Sequence, residues 1–161
     1  MSRIATALAL FLLLLSFTTL ADTLTGTVSK VVDGDTIHLL TTNQTRHKIR
    51  LSGIDAPERG QAFGTKSKEH LATLVAGERV EVQWAKRDRY KRIVGKVLRK
   101  GEDVNLEMVR AGLAWWYRKY ANEQSPDDQR AYAAAEDEAR HGRVGLWRDP
   151  NPVPPWSWRR R

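Results

Sequence analysis

Three acidic side chains and two arginines fall at short intervals between runs that read as strands. Asp35 lies in the turn Asp33-Gly34-Asp35-Thr36. Arg50, Asp55 and Glu58 share the stretch Arg50-Leu51-Ser52-Gly53-Ile54-Asp55-Ala56-Pro57-Glu58, and Arg92 ends the basic run Arg87-Asp88-Arg89-Tyr90-Lys91-Arg92. The three acids stand at turns, where side chains can converge on one concave spot. Carboxylates brought that close repel one another unless protons or a cation compensate. The four histidines, His38, His47, His70 and His141, form no spaced pair of the kind that marks zinc, and there is no cysteine. An oxygen-only set points to Ca²⁺ first and Mg²⁺ second. Hard oxygen ligands beside guanidinium groups suit a metal-assisted attack on a phosphodiester. Negative charge then builds on the equatorial oxygens of a five-coordinate phosphorus, where preorganised cations stabilise it most. Arg50 and Arg92 are the candidates, because a planar guanidinium contacts such oxygens in pairs. Each piece alone has a plainer reading: a hairpin turn for Asp33-Gly34-Asp35, a proline turn for Asp55 to Glu58, a barrel-surface ion pair for Arg50, a loop charge for Arg92. Spacing does not choose between them.

Twenty-seven Lys and Arg against nineteen Asp and Glu give a formal charge of +8 over 161 residues. A basic surface favours polyanions, nucleic acid foremost, although an anionic membrane or proteoglycan would also answer to charge alone. Met1-Ser2-Arg3 precedes an apolar run from Ile4 to Leu15, and small residues stand at Thr19 and Ala21. This pattern reads as a signal peptide, residues 1–21, cut before Asp22. The strongly apolar part is shorter than the ~20 residues of a spanning helix. The expectation is an exported chain, in the periplasm or the medium.

The carboxylates need a scaffold, and the pattern supplies one. Period-two alternation predicts strands at residues 23–32, 36–40, 47–54, 79–84 and 93–98. Asp33-Gly34 reads as a turn in which glycine supplies a positive φ. A helical stripe covers residues 65–76, with Gly77 as a C-cap. A second helix starts near Asp103 or Asn105, either of which can cap it. A third follows Ser125-Pro126-Asp127-Asp128 and runs to about Arg140. The order β-β-β-α-β-β-α-α predicts an α+β fold, mainly β: a five-stranded OB-type barrel with three packed α-helices over residues 22–148. Residues 149–161 form a Pro/Trp/Arg-rich C-terminal tail, read as extended and loosely held with one tryptophan folded back onto the domain; the alternative is that Trp156 and Trp158, with the three arginines, stack on bases or lie at a membrane surface.

Three segments carry a family likeness. Val31-Val32-Asp33-Gly34-Asp35-Thr36-Ile37, the Arg50–Glu58 stretch and Asp88-Arg89-Tyr90-Lys91-Arg92 resemble the signature of the staphylococcal-nuclease-like (thermonuclease) family. Val104-Asn105-Leu106 with Arg110-Ala111-Gly112-Leu113-Ala114, and Ala135-Glu136 with Ala139-Arg140 before Gly145-Leu146-Trp147, continue the match in order. The resemblance implies that Asp35, Asp55 and the Ala56 backbone carbonyl bind Ca²⁺, with Asp33 one step behind them. It gives Glu58 the role of orienting or deprotonating the attacking water. Arg50 and Arg92 would hold the scissile phosphate from two sides, while Arg89 and Tyr90 would meet a neighbouring phosphate. The implied reaction is hydrolysis of DNA and RNA at the 5′ P–O bond, leaving 3′-phosphate ends, by a monomer with no lasting membrane association after signal cleavage. Two departures stand out. The loop from Glu58 to Phe63 is shorter than in the best-known member, and Trp115-Trp116-Tyr117-Arg118-Lys119-Tyr120 replaces a smaller aromatic wall. From that run Tyr117 and Tyr120 are the candidates for stacking on bases.

The rival reading is a non-catalytic OB-fold module that binds nucleic acid. It should have lost members of the set Asp35, Arg50, Asp55, Glu58 and Arg92, all of which are present. A cationic envelope protein that lies on membranes has only the tail in its favour.

Overall fold

Apolar residues that alternate along a strand must face a common interior. In the computed structural model, which describes residues 21–161, they do so around a closed barrel. The stretch read as a signal peptide lies outside the described residues up to position 20. Strand β1 (Asp22–Asp33) pairs antiparallel with β2 (Thr36–Leu40) on one side and with β5 (Arg79–Arg87) on the other. β2 pairs with β3 (Arg46–Leu51), and β5 with β6 (Ile93–Arg99). Closure comes from a parallel contact of β3 with β6, in the register Ile49 to Ile93, Arg50 to Val94 and Leu51 to Gly95. Val28, Ile37, Leu39, Ile49, Leu51, Val80, Val82, Ile93 and Val97 fill the interior. The mixed, five-stranded closed barrel with packed helices is the fold that the strand order predicts.

The third predicted strand does not run straight through. β3 stops at Leu51, and the chain turns at Gly53, whose φ of 72° belongs to the left-handed region. A Cβ there would also lie 2.4 Å from the Gln124 side chain. Ile54–Asp55 then forms β4, a separate short strand paired with β8 (Trp115–Trp116), with Asp55 opposite Trp115. β7 (Glu102–Asp103) extends the far edge of β6. The hairpin glycine also works differently from expectation. Gly34 is not in the left-handed region; it is required for space, since a Cβ would sit 1.9 Å from the Ser67 Oγ on helix α1 (Gly64–Val75). Gly77, just past that helix, does take a positive φ of 73°.

Helix α2 (Val104–Arg110) is capped by Asp103, whose carboxylate accepts from the Leu106 N–H at 3.0 Å. Helix α3 (Pro126–His141) begins at the Ser125 cap with Pro126 in its first turn. The two are tied where the buried Tyr132 hydroxyl donates to Asp103 at 2.9 Å. The tail departs from its expected extended form. Pro155, free of the need for an amide donor, opens one further helical turn, α4 (Pro155–Trp158). No helix among the described residues is long and apolar enough to cross a membrane.

Asn105, read as a possible cap, is instead an interior strut with 0% exposure. Its Oδ1 accepts from Val97 N–H at 3.1 Å, and its Nδ2 donates to the carbonyls of Ser52 (3.0 Å) and Gly95 (3.1 Å). It therefore locks helix α2 to β6 and to the turn that launches β4. Asn105→Ala leaves a buried Val97 donor unpaired and should destabilise the fold by at least about 1–3 kcal/mol. Urea midpoints at constant m-value measure it; a midpoint unchanged from the parent would mean that water replaces the amide at no cost.

Candidate active site

The β1–β2 turn and the β3–β4 turn are adjacent because Thr36 pairs with Arg50 and the Leu51 N–H donates to the Asp35 carbonyl at 2.9 Å. This register brings two carboxylates onto one nitrogen. Arg50 Nη2 lies 3.1 Å from Asp35 Oδ2 and 3.0 Å from Asp55 Oδ1, while Nη1 donates to the Leu51 carbonyl at 2.6 Å. Asp35 Oδ2 also accepts from the Ala56 N–H at 2.7 Å, so the β1–β2 turn is bonded to the strand end that carries Asp55. Behind them Asp33 Oδ1 accepts from the Asp35 N–H at 3.0 Å.

Glu58 follows on the short loop. Its N–H donates to Gln61 Oε1 at 2.9 Å, and Gln61, itself buried, donates onward to the Val153 carbonyl at 2.6 Å. On the far side of the opening, Asp88 organises the β5–β6 hairpin. It accepts from the Tyr90 and Arg92 amides and holds Arg92 Nε at 2.7 Å. Among the described residues the Arg92 side chain uses only Nε in hydrogen bonding. Tyr90, 64% exposed, stands at the rim with the Arg89 and Arg92 guanidinium groups 4.8 and 5.5 Å from its ring centre.

Asp35, Arg50, Asp55, Ala56, Glu58, Arg89, Tyr90, Arg92, Tyr117 and Tyr120 all line one cleft of about 1110 Å³. None of the candidate residues is left on another face. The aromatic wall is partly consumed by packing. Trp115 is buried against Trp147, and the half-buried Trp116 donates its Nε1 to Gln124 Oε1 at 2.8 Å. Tyr117, expected to stack on bases, has a ring face covered by Trp156 of the tail, parallel within 2° and 5.2 Å away. Tyr120 meets Tyr117 edge-on and stays exposed.

Two charged residues of the site escape sequence reasoning. Glu136 on α3 has 0% exposure and accepts from the Trp116 N–H at 3.1 Å and from Arg118 at 2.6 Å, fixing the strand opposite Asp55. Arg159 of the tail reaches back into the cleft. Its Nη2 lies 2.8 Å from Asp55 Oδ2, and its Nη1 lies 2.5 Å from Glu58 Oε1. A contact spanning a hundred positions leaves no periodic signal; only the arginine-rich end hinted at it.

Burial raises the pKa of Asp55, against the opposing pull of the Arg159 and Arg50 guanidinium groups. Burial, together with the neighbouring Asp35 charge, lifts Asp33 to about 6. Burial would lift Asp88 as well, but its hydrogen bonds from Arg92 prevail and hold it below the usual range. The cleft thus gathers buried negative charge that demands cations. Asp35 and Asp55 already converge on a common cationic nitrogen, which is the arrangement a hard divalent ion exploits. No group of three or more His, Asp or Glu side chains forms a metal cage among the described residues. A site of two carboxylates completed by a carbonyl and water fits that geometry.

A basic OB-type barrel with acids and guanidinium forks in one cleft suits a polyanionic substrate. The sequence model of the family described as staphylococcal nuclease homologue matches residues 48–149. An uncharacterized endonuclease of Haemophilus influenzae is 40% identical over 153 residues, 92% of this chain and 83% of the relative. An uncharacterized endonuclease of Escherichia coli is 42% identical over 153 residues, covering 94% and 95% of the two chains. A micrococcal nuclease of Shigella flexneri is 42% identical over 144 residues, with 84% and 80% covered. The chain belongs to the staphylococcal nuclease homologue family. The family match includes Arg50, Asp55, Glu58 and Arg92, begins after Asp35 and ends before the C-terminal segment folds back.

The raised Asp33 carries a sign that can be measured. Between its unfolded value of 3.8 and its folded value of about 6, the native chain keeps a proton that the unfolded chain has released. Stability attributable to Asp33 therefore falls as pH rises through that window. Asp33→Asn keeps an oxygen for the Asp35 amide and removes the titration. From roughly pH 4 to pH 7, in chelator, the variant should gain about 1–3 kcal/mol relative to the parent in urea unfolding. Parallel pH curves for the two proteins would put the extra proton on another group.

Proposed function

We propose that this chain, a nuclease by family, is an exported Ca²⁺-dependent phosphodiesterase that cuts DNA and RNA with little sequence preference and leaves 3′-phosphate ends. One observation carries the reading: Asp35 and Asp55 meet on a single Arg50 nitrogen in a cleft that Glu58 and Arg92 also line. Export rests on the signal-like sequence of residues 1–21.

In this reading Asp35 and Asp55 hold Ca²⁺, with the Ala56 carbonyl and water completing the set. Bound there, the ion contributes fixed positive charge against a phosphate oxygen. The remaining work belongs to side chains. Glu58, at the mouth of the loop, orients a water and accepts its proton as the oxygen attacks phosphorus. The P–O bond to the 5′ oxygen breaks, that oxygen leaves as a hydroxyl with a proton taken from solvent, and the phosphate stays on the 3′ oxygen. Arg50 lies beside the two acids, so its fork would be within reach of a phosphate seated over them. Arg92 keeps both η nitrogens for the charge that grows in the transition state. Arg89 and Tyr90, at the rim, suit contact with the next phosphate, which carries no sequence information. Tyr120 offers an exposed ring on which any base can stack.

Chelation tests the reading directly. Plasmid nicking should vanish in excess EGTA and return with added Ca²⁺; cleavage that persists in chelator removes the metal. Glu58→Gln should lower turnover by about 10²–10⁴, the scale of a lost general base. Wild-type turnover in that variant would move the water-activating role elsewhere.

A further inference from the structure

The tail is bonded to the loop that carries Glu58. Gln61 accepts from the Glu58 amide and donates to the Val153 carbonyl, so one buried side chain holds both segments. Three residues further on, Trp156 wedges between Tyr117 and Trp115, with ring centres 5.2 and 5.5 Å away. The turn of α4 then sets Arg159 one helical turn past Pro155, whose carbonyl accepts the Arg159 amide at 3.0 Å. That placement lays the guanidinium over the acids. Nη2 and Nη1 reach the two oxygens of Asp55 at 2.8 and 3.2 Å, and Nη1 reaches Glu58 at 2.5 Å.

This contact competes with catalysis. Asp55 is 1% exposed, so every lone pair given to Arg159 is one withheld from another cation. The guanidinium on Glu58 Oε1 takes an acceptor position that a water would otherwise use. Three carboxylates, Asp35, Asp55 and Glu58, face two guanidinium groups, Arg50 and Arg159. A divalent ion added to that set would leave an excess of positive charge within a few ångströms. Release of Arg159 restores the balance. Arg159 is half-exposed and rides on a short terminal turn, so it can leave without disturbing the barrel.

We propose that the C-terminal segment is a tethered cationic plug: Arg159 closes the site across Asp55 and Glu58 and is displaced when a divalent cation binds. Tethering keeps the guanidinium at high local concentration, so it exchanges with the ion each time the site empties. The proposal rests on the Ca²⁺ reading above.

Calorimetric titration of substrate-free protein with Ca²⁺ tests it. Arg159→Gln should bind Ca²⁺ at least about tenfold more tightly than the parent, since a charge-assisted contact is lost from the competing state only. Arg161→Gln, the same charge change two residues on, should shift the Kd less than about twofold, as a screened exposed charge does. Trp156→Ala unseats the tail with every charge kept, and should tighten Ca²⁺ binding in the same direction. Equal affinity in the parent and Arg159→Gln overturns the plug while leaving the metal site intact, as does an equal gain from Arg161→Gln. No change in Trp156→Ala overturns the tether. Absence of Ca²⁺ binding in parent and variants alike overturns the metal reading, and the plug falls with it.

Discussion

Two buried carboxylates that share one guanidinium nitrogen set the terms for the rest of the molecule. Asp35 and Asp55, so close and so little hydrated, need a proton or a cation between them, and Arg50 supplies the cation. Each acid comes from a different strand end, so their meeting depends on the barrel. The parallel contact of β3 with β6 fixes where β3 stops, and Gly53 turns the chain out of the wall into β4. Asn105 then holds that turn from inside, while Glu136 holds β8 from behind. Folding the chain and converging the acids are one event.

Polar groups bear this burden because apolar packing is not specific enough at a strand end. A hydrophobic interior tolerates small shifts of register with modest losses. A buried amide with three backbone partners does not, since a slip leaves donors and acceptors unpaired. Asn105 and Glu136 both lie away from the cleft mouth, yet each sets the path of a segment that lines it. The Asp88 carboxylate does the same in the open, folding the β5–β6 hairpin around itself so that Arg92 and Tyr90 emerge on the cleft side.

The barrel was legible in the sequence because a strand with one wet face writes its burial at period two. The five wall strands and the helices up to Arg140 follow from that rule and from capping residues such as Ser125 and Pro126. The cluster of acids and arginines was legible only through its likeness to a known family; turn residues alone do not say which turns are neighbours. β4 and β8 were missed because two-residue strands have no period to detect. Gly34 was read by its commonest use, positive φ, when the packing of Ser67 against the turn was what excluded a side chain. The tail was misread for a similar reason. Dense proline forbids a long helix, but one turn beginning at Pro155 breaks no rule, and its consequence is three-dimensional.

The position of that turn also accounts for the composition of the cleft wall. Trp156 fills the space beside Trp115 and covers Tyr117, so the aromatic run that looked suited to stacking bases serves first as a seat for the chain's own end. Tyr120 and Tyr90, at the rim, are the rings left open. A nucleic acid entering the cleft therefore meets exposed aromatics and arginines before it reaches the acids. The charge that attracts a polyanion and the charge that guards the carboxylates come from the same kind of residue, separated by place: Arg89 at the rim beside Tyr90, Arg50 and Arg159 on the acids themselves. Attraction at the rim thus needs no change in the interior, and the interior can change its cation without altering the rim.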